Sequence, residues 1–426
     1  MTALLLFGGF FLLIICGIPI AASMGLATAM AIMSEGLKMT AFSNLMYAAI
    51  GKNVLLAIPY FILTGVLMEY AGISKRLIRL ATVCVGHIQG GLAIVVIIVA
   101  CFFAAISGSG PATVAALGGT LIPAMEKNGY DKNMAAALVA SAGGIGVIIP
   151  PSIAFVIFAM LAEISVGKLF ICGIIPGIFL GICYAIAALW SIRKDKNLRT
   201  VEKCSSKERW IAFKDAIWGL FTPVIILGGI YSGLFTPTEA AGVSVVYALF
   251  VGVFIYKEIK WKDLGKMFLS AAMTSSVVMY IMGCAGVLAW ILTTSGVAAD
   301  LSAAMMSVTN NKYLILLLIN ILFLIAGCFI EANSAFCIFL PILLPIMTSI
   351  GYDRYAFGIF MVSSFAVGMV TPPVGANLYV ACNIANLSME NICKKVIPFV
   401  VAGILAVLVM TYFPQISLFL PDLLGM

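Results

Sequence analysis

Long apolar stretches recur along the chain, separated by short segments that are polar or rich in glycine and proline. A helix of about 20 apolar residues crosses the roughly 30 Å hydrocarbon core of a bilayer. On that length the pattern predicts about 11 or 12 full spans and two partial ones, so the predicted fold class is an all-α polytopic membrane protein. The first stretch has neither a basic leader nor a plain cleavage site, and it is expected to remain as an uncleaved span.

The composition indicates that lipid is the solvent for most of the surface. Hydrophobic residues make up 63% of the chain and charged residues 10%, whereas soluble domains are nearer half apolar and a quarter charged. A folded chain of this size could not bury so much apolar surface away from water. The 11 cysteines lie mostly in apolar stretches and form no CxxC pair, so they are expected to be packing residues.

A basic segment over residues 193–214 divides the chain into two parts. It holds eight of the 24 lysine and arginine residues, namely Arg193, Lys194, Lys196, Arg199, Lys203, Lys207, Arg209 and Lys214. Basic loops stay on the cytoplasmic side of a membrane, so this segment is predicted to be a cytoplasmic connector. No groove-reading element accompanies it, and nucleic acid is not predicted as a partner.

The two parts share a sequence repeat with an offset of 222 residues (351 − 129 and 372 − 150). Residues 129–131 (GYD) recur as residues 351–353, and Pro150-Pro151 recurs as Pro372-Pro373. A repeat with an odd number of crossings comes out inverted, and inverted repeats with interrupted helices mark secondary transporters. Two inverted structural repeats are therefore predicted, over residues 1–192 and 215–426. A duplication kept only for packing is the alternative.

Each repeat is predicted to contain one re-entrant hairpin and one broken helix. The hairpins are placed at about residues 107–125 and 329–347, and the broken helices at about 134–162 and 355–386. Glycine and proline free backbone groups from helical bonding, which is tolerated at membrane depth only beside protein or a wet cavity. A simple proline kink packed by its neighbours is the alternative.

The proline-containing breaks suit a pair of opposite charges. Because Gly143 and Gly144 precede the first Pro-Pro pair, the upstream half-helix is expected to end in free carbonyls suited to Na⁺. The downstream half-helix begins near Ser152, with a partially positive end suited to a carboxylate. In the second break Thr371 is expected to be the N-cap and to offer oxygen to Na⁺, and Asn377 adds a polar side chain.

Glu331 is the only acid in a long apolar stretch. A carboxylate at membrane depth costs about 2.5–3.5 kcal/mol on insertion scales, so Glu331 is predicted to face water, a cation or a hydrogen-bond network. An interfacial hairpin end is the alternative. Glu69, Glu163 and Glu239 lie near predicted helix ends and are expected to be solvated or to cap helices.

Six segments together resemble the large membrane subunit of the tripartite ATP-independent periplasmic (TRAP) transporters. They are residues 17–21 (GIPIA), 57–63 (AIPYFIL), 107–116 (SGSGPATVAA), 148–153 (IIPPSI), 236–241 (TPTEAA) and 371–375 (TPPVG). Because they follow one another in the family's order along nearly the whole chain, the set is far more specific than any single segment.

The resemblance implies an elevator carrier of the ion-transporter class, in which a transport domain with both hairpins moves against a scaffold domain. It implies coupling to two or more Na⁺ ions, without ATP or an organic cofactor, in a multi-pass protein of the bacterial inner membrane. The implied partners are a periplasmic substrate-binding protein and a small four-helix membrane subunit, which is expected not to be fused here. Substrates of such systems are organic acids: C4-dicarboxylates, other carboxylates, or acidic sugars such as sialic acid.

The same resemblance implies where the ligands lie. Na⁺ is expected at Ser107, Ser109, Gly143, Gly144, Val147 and Pro150 in the first repeat, and at Gly327, Gly368 and Thr371, near Asn333, in the second. Substrate is expected between the hairpin tips, at Ser109, Ser152, Glu331, Asn333 and Asn377. Because an acid repels an anion directly, Glu331 is expected to act through Na⁺ or through substrate hydroxyls.

Two other functions stay open from the sequence. A stand-alone Na⁺/carboxylate symporter of the ion-transporter class would need no binding protein. An intramembrane enzyme would need a paired nucleophile and base, two aspartates or a metal cluster. One histidine and scattered acids do not supply these, so the sequence predicts a carrier and not an enzyme.

Overall fold

The computed structural model describes residues 2–193, 198–297, 300, 309 and 311–426, and every regular element within them is helical. The α-helices are α1 (Gly9–Ile15), α2 (Ile20–Ser34), α3 (Thr40–Ile50), α4 (Ala57–Tyr70), α5 (Ile73–Val85), α6 (Gly91–Ser107), α7 (Gly110–Lys127), α8 (Lys132–Ile145), α9 (Ile153–Ala162), α10 (Val166–Ile192), α11 (Ser206–Tyr231), α12 (Pro237–Phe250), α13 (Leu264–Thr294), α14 (Lys312–Phe329), α15 (Ala332–Ser349), α16 (Arg354–Gly368), α17 (Ala376–Ala385), α18 (Met389–Tyr412) and α19 (Gln415–Leu423). Short π-helical turns (Leu4–Gly8 and Val251–Ile255) and 3₁₀ turns (Asn53–Leu56 and Trp261–Asp263) extend four of them. Lys194 and Lys196 of the predicted connector lie outside the described residues.

Eight helices in the described part of the chain are long and apolar enough to cross a membrane, which indicates a multi-pass membrane protein. They are Asn53–Tyr70, Val166–Ile192, Ser206–Tyr231, Pro237–Ile255, Trp261–Thr294, Lys312–Phe329, Ala332–Ser349 and Met389–Tyr412. Six shorter apolar helices accompany them. The sequence predicts about 11 or 12 spans; fewer helices qualify here because glycine and proline divide several apolar stretches into shorter helices.

Helices α6 and α7 pack together as a first hairpin, whose tip consists of Gly108 and Ser109. Gly108 has a φ of +59°, and a Cβ at this position would stand 2.9 Å from the Pro151 carbonyl oxygen. The left-handed backbone and the close approach together require glycine at this turn. The tip is therefore held directly against the proline-containing break.

Helices α14 and α15 form the second hairpin, which turns at Ile330 and Glu331. The two hairpins cover residues 91–127 and 312–349. The predicted ranges, 107–125 and 329–347, contain each tip and second arm but miss the first arm. An uninterrupted apolar arm has the same sequence pattern as a full span, so its first half cannot be recognised from that pattern.

Each hairpin is followed by two short helices with a break between them. The first break, residues 146–152, joins α8 to α9, and the second break, residues 369–375, joins α16 to α17. The Pro-Pro bond is cis in both breaks. These helices lie in the segments 134–162 and 355–386, for which the sequence predicts broken helices.

The half-helices after the two breaks begin differently. Ser152 is the N-cap of α9, and its Oγ accepts a hydrogen bond from Phe155 N at 3.4 Å. In the second break the N-cap is Gly375, whereas the sequence predicts Thr371. Thr371 Oγ1 donates to the Val367 carbonyl at 2.8 Å, because Thr371 still belongs to the turn that ends α16.

A repeated Gly-Tyr-Asp turn leads into each broken helix. In the first half Asp131 Oδ1 accepts a hydrogen bond from Met134 N at 3.0 Å, and Asp131 Oδ2 lies 3.3 Å from Lys395 Nζ of α18. Partial burial opposes ionisation, but the Met134 N–H and the Lys395 ammonium hold the pKa of Asp131 below its usual range. The carboxylate therefore stabilises the fold fully above its ordinary pKa and loses this effect as the pH falls through the lowered value.

Asp131→Ala is expected to lower the free energy of unfolding by about 1–2 kcal/mol, since it removes an N-cap and a partly exposed ion pair. The change appears as a lower melting temperature of the purified protein in detergent at neutral pH, and it shrinks in acid. Lys395→Ala is the matched control, because it removes the ion pair and leaves the cap. The cap is expected to contribute more than the partly exposed ion pair, so an equal loss in both variants would contradict the prediction.

Packing divides the helices into two groups. Helices α3, α4, α12 and α13 pack mainly on one another, with α2 against α13 and α11 against α12. Helix α5 contacts both α11 and α6 and so lies between this group and the next. The two hairpins, the two broken helices, α10 and α18 form the other group, in which α7, α8 and α17 are mutual neighbours. The groups meet where α4 contacts α6 and where α13 contacts α15. A cavity lies at this boundary.

Candidate functional site

A cavity of about 340 Å³ lies between the two hairpin tips. Residues 107–112 line it from the first tip and residues 331–333 from the second. Each break contributes one residue, Val147 and Met369 respectively. The structure therefore brings together five of the predicted site residues, which are Ser107, Ser109, Val147, Glu331 and Asn333.

Hydroxyl groups fix the shape of the first tip. Ser107 Oγ lies 3.0 Å from Thr113 Oγ1, and Thr113 Oγ1 donates to the Ser109 carbonyl at 2.8 Å. Ser109 N in turn donates to Ser107 Oγ at 3.4 Å. Because Ser107 and Thr113 are buried, these bonds are shielded from water and hold the tip's carbonyl groups in one orientation.

Three oxygen atoms surround a small space beside Gly146 in the first break. A Cβ at Gly146 would stand 2.5 Å from Thr113 Oγ1, 2.9 Å from the Gly143 oxygen and 3.0 Å from the Ser109 oxygen. This oxygen cradle joins the hairpin tip to the broken helix, and Gly146 leaves its centre free of a side chain. Carbonyl and hydroxyl oxygens at an unwound helix are the donor set by which transporters bind Na⁺.

Three other residues predicted around the first cation are Gly144, Val147 and Pro150, and none of them supplies one of the three cradle oxygens. Gly144 faces α16, where a Cβ would stand 2.9 Å from the Ala366 oxygen. Pro150 lines a separate apolar groove of about 720 Å³ together with residues of α6, α10 and α11. The Val147 carbonyl accepts a hydrogen bond from Ser152 Oγ at 2.6 Å within the break.

Two residues predicted at the substrate position, Ser152 and Asn377, are wholly buried and do not line the cavity. Ser152 is occupied in closing the first break onto itself. Asn377 reaches from the second half into the first, where its Nδ2 donates to the Ala140 carbonyl at 3.3 Å. Both side chains lie against the first tip: the Cβ position of Gly108 is 3.4 Å from Ser152 Cα, and that of Gly110 is 2.9 Å from Asn377 Oδ1.

The second half shows close backbone packing at the position that corresponds to the cradle. Gly368 lies 222 residues after Gly146, and a Cβ there would stand 2.6 Å from Gly327 Cα. Gly375 N donates to the Cys328 carbonyl at 3.0 Å. Asn333, which was expected near these glycines, lines the cavity with its Nδ2 3.4 Å from Glu331 Oε1.

Glu69 and Thr274 also line the cavity, and the sequence predicts neither of them as a site residue. Glu69 belongs to α4 and Thr274 to α13, so both come from the group of helices opposite the tips. Gly65, one turn before Glu69, packs on the first tip: a Cβ there would stand 3.4 Å from Ser107 Cα. The cavity consequently has a carboxylate on each side, Glu69 and Glu331.

An all-helical membrane protein with a cavity between broken helices and hairpin tips has the architecture of a secondary transporter. The fold resembles the crystal structure of the YdaH transporter of Alcanivorax borkumensis, with a TM-score of 0.62 over 88% of each chain. The sequence identity to that protein is 15%, so the likeness concerns the fold alone.

The sequence identifies the family. Residues 7–416 match the family described as "Tripartite ATP-independent periplasmic transporter, DctM component". The chain is 38% identical over 442 residues to the C4-dicarboxylate TRAP transporter large permease protein DctM of Rhodobacter capsulatus, and the match covers 100% of both proteins. The chain therefore belongs to the DctM family of TRAP transporter large permeases, whose members are transport proteins and not enzymes.

A further relative has a different named substrate. The chain is 42% identical over 423 residues to the isethionate TRAP transporter permease protein DctMQ of Oleidesulfovibrio alaskensis. The match covers 97% of this chain but 65% of that protein.

Proposed function

We propose that the chain is the large permease subunit of a Na⁺-coupled, binding-protein-dependent carrier that imports a small organic acid across the bacterial inner membrane. The observation that carries the proposal is the cavity between the hairpin tips, which adjoins the oxygen cradle beside Gly146. A cation site next to an anion cavity is the arrangement that ion-coupled symport requires.

The substrate is proposed to be a small organic anion such as a C4-dicarboxylate. The names of the relatives support this class, since one transports C4-dicarboxylates and the other isethionate. The cavity volume of about 340 Å³ is at the small end of the range for ligand sites, about 300–1,000 Å³. Larger acidic sugars such as sialic acid are a less close match to this volume.

An elevator movement is proposed for the transport step. One group of helices, containing both hairpins and both broken helices, would be the transport domain, and the group around α4, α11, α12 and α13 would be the scaffold. The cavity lies at the boundary of the groups, with α4 and α13 on one side and the tips on the other. The shared order of hairpin, broken helix and long helix in the two halves supports inverted repeats.

Partners are proposed to be a small four-helix membrane subunit and a periplasmic binding protein. The test is uptake into proteoliposomes that hold the chain with its small subunit, with purified binding protein and labelled substrate outside. Uptake is expected with an inward Na⁺ gradient and not with ATP alone. Uptake without binding protein would favour a stand-alone symporter, and a leak of substrate without Na⁺ would favour a uniporter or channel.

Glu331→Gln is expected to raise the Na⁺ concentration for half-maximal uptake by about tenfold, because a charge-assisted contact to a cation contributes about 1.5–3 kcal/mol. The affinity for the organic anion at saturating Na⁺ should stay the same or improve. Uptake is measured against Na⁺ and against substrate in turn. Glu390→Gln, a change in the first turn of α18 and outside the cavity lining, is the control.

A different result would contradict this role of Glu331. If the substrate concentration for half-maximal uptake rises while the Na⁺ dependence is unchanged, the carboxylate contacts the substrate directly and not through a cation.

A further inference from the structure

Asn377 is a residue of the second half whose side chain lies inside the first half. It is the second residue of α17, which packs against α7 and α8. Its Oδ1 stands 2.9 Å from the position that a Cβ at Gly110 would take, and its Nδ2 stands 3.3 Å from the corresponding position at Gly143. The amide is thus wedged between the start of the first hairpin's second arm and the first broken helix.

Only one end of this amide has a hydrogen-bond partner. Nδ2 donates to the Ala140 carbonyl at 3.3 Å, whereas Oδ1 is enclosed and has no partner among the described residues. Asn377 is 0% exposed, so bulk water does not reach this oxygen. A buried acceptor without a donor points to a bound ion or water.

The neighbouring backbone atoms are acceptors as well. The Gly110 oxygen lies 3.1 Å from the Cβ position of Gly143, and the Gly143 oxygen lies 3.3 Å from the Cβ position of Gly110. The Gly143 oxygen is also one of the three atoms of the cradle beside Gly146. The Gly143 oxygen accepts a hydrogen bond from Gly146 N at 2.9 Å, so Asn377 Oδ1 is the oxygen here that lacks a donor. A hard cation prefers carbonyl oxygen ligands and would complete this group.

We propose that Asn377 Oδ1 is a ligand, supplied by the second half, for the cation bound at the first hairpin tip. This inference rests on the proposed Na⁺ coupling and adds that the first cation site is completed across the two halves. A bound cation would then connect α17 to the first hairpin through Asn377 Oδ1.

The same half-helix is also connected to the second hairpin. Gly375 N donates to the Cys328 carbonyl near the second tip, and Asn377 N donates to the Met369 carbonyl, both at 3.0 Å. Met369 lines the cavity. Cation binding at the first tip would therefore restrain the second tip and the cavity wall, so that both tips respond to one ion.

The test compares Asn377→Ala with Asn377→Asp in the purified full-length chain. Na⁺ is titrated against choline at constant ionic strength, and the melting temperature reports binding. Asn377→Ala is expected to raise the apparent Na⁺ dissociation constant at least about tenfold. Asn377→Asp, which keeps the oxygen and adds charge, is expected to stay within about threefold of the wild type or to bind more tightly.

A merely structural role predicts the opposite order. Asn377→Asp loses the donor to Ala140 and buries a charge, so it would then be at least as damaging as Asn377→Ala. Asn383→Ala is the control, because Asn383 is an exposed residue of the same half-helix. If Asn377→Ala is not recovered folded, Asn377→Ser is titrated in its place, with the same rise expected.

The outcomes separate this inference from the proposed function. If the wild type shows no Na⁺-dependent stabilisation and transports without Na⁺, both are overturned. If the wild type responds to Na⁺ and Asn377→Ala responds with the same affinity, or Asn377→Asp loses at least as much as Asn377→Ala, only the role of Asn377 is overturned.

Discussion

Gly146→Ala is expected to abolish Na⁺-dependent uptake while leaving the protein folded. The added methyl group would occupy the space between Thr113 Oγ1 and the Gly143 and Ser109 oxygens, which stand 2.5–3.0 Å from it. Overpacking of this kind costs about 1–3 kcal/mol of stability, which leaves the protein folded, whereas the methyl group takes the place of the ion. Uptake driven by a Na⁺ gradient in proteoliposomes measures the loss.

Two further measurements separate loss of the ion from loss of the fold. The melting temperature in choline should fall by the equivalent of about 1–3 kcal/mol at most, and the rise in melting temperature on adding Na⁺ should disappear. Gly119→Ala is the matched control on the same hairpin, because a Cβ there meets no atom within 4 Å. A Gly146→Ala protein with normal Na⁺ stabilisation would show that the cradle does not hold the ion.

The breaks and tips could be predicted because their signals are local. Glycine and proline inside an apolar stretch interrupt a helix wherever they occur, and the 222-residue repeat pairs Pro150-Pro151 with Pro372-Pro373 in one register. That Ser109, Glu331 and Asn333 lie between the two tips was implied by the family resemblance. A re-entrant tip is compatible with this, since irregular backbone is tolerated at membrane depth beside a wet cavity.

What escaped prediction depends on tertiary packing. Glu69 and Thr274 occupy ordinary positions in the regular helices α4 and α13, and only the packing of these helices against the tips turns the two side chains to the cavity. Asn377 has a sequence position consistent with a cavity residue, but α17 carries its side chain into the interior. Helix orientation about its own axis is not encoded by a stretch that is apolar on all sides.

The repeat also has unequal consequences in the two halves. At the first break Gly146 leaves space between three oxygen atoms. At the second break the space beside the corresponding glycine, Gly368, is occupied by backbone atoms of Gly327 in the second hairpin. Equivalent positions in sequence therefore do not imply equivalent cation sites.

Gly368→Ala is accordingly expected to destabilise the fold itself and to abolish uptake whether or not Na⁺ is present. A Cβ at Gly368 would stand 2.6 Å from Gly327 Cα and 2.8 Å from the Gly327 carbonyl carbon. Both are backbone atoms, so the second hairpin must move away from the broken helix at a cost of about 3 kcal/mol or more. The melting temperature should fall by the same amount in Na⁺ and in choline.

Gly228→Ala is the control for this substitution, because Gly228 lies inside α11 with no atom within 4 Å of its Cβ position. It is expected to leave the stability unchanged or to raise it by up to about 1 kcal/mol through helix propensity. Together with Gly146→Ala, the comparison assigns one repeat position to ion binding and its counterpart to packing. If Gly368→Ala instead melted normally in choline and lost its response to Na⁺, a cation would have to bind at the second break as well, and the two halves would be equivalent after all.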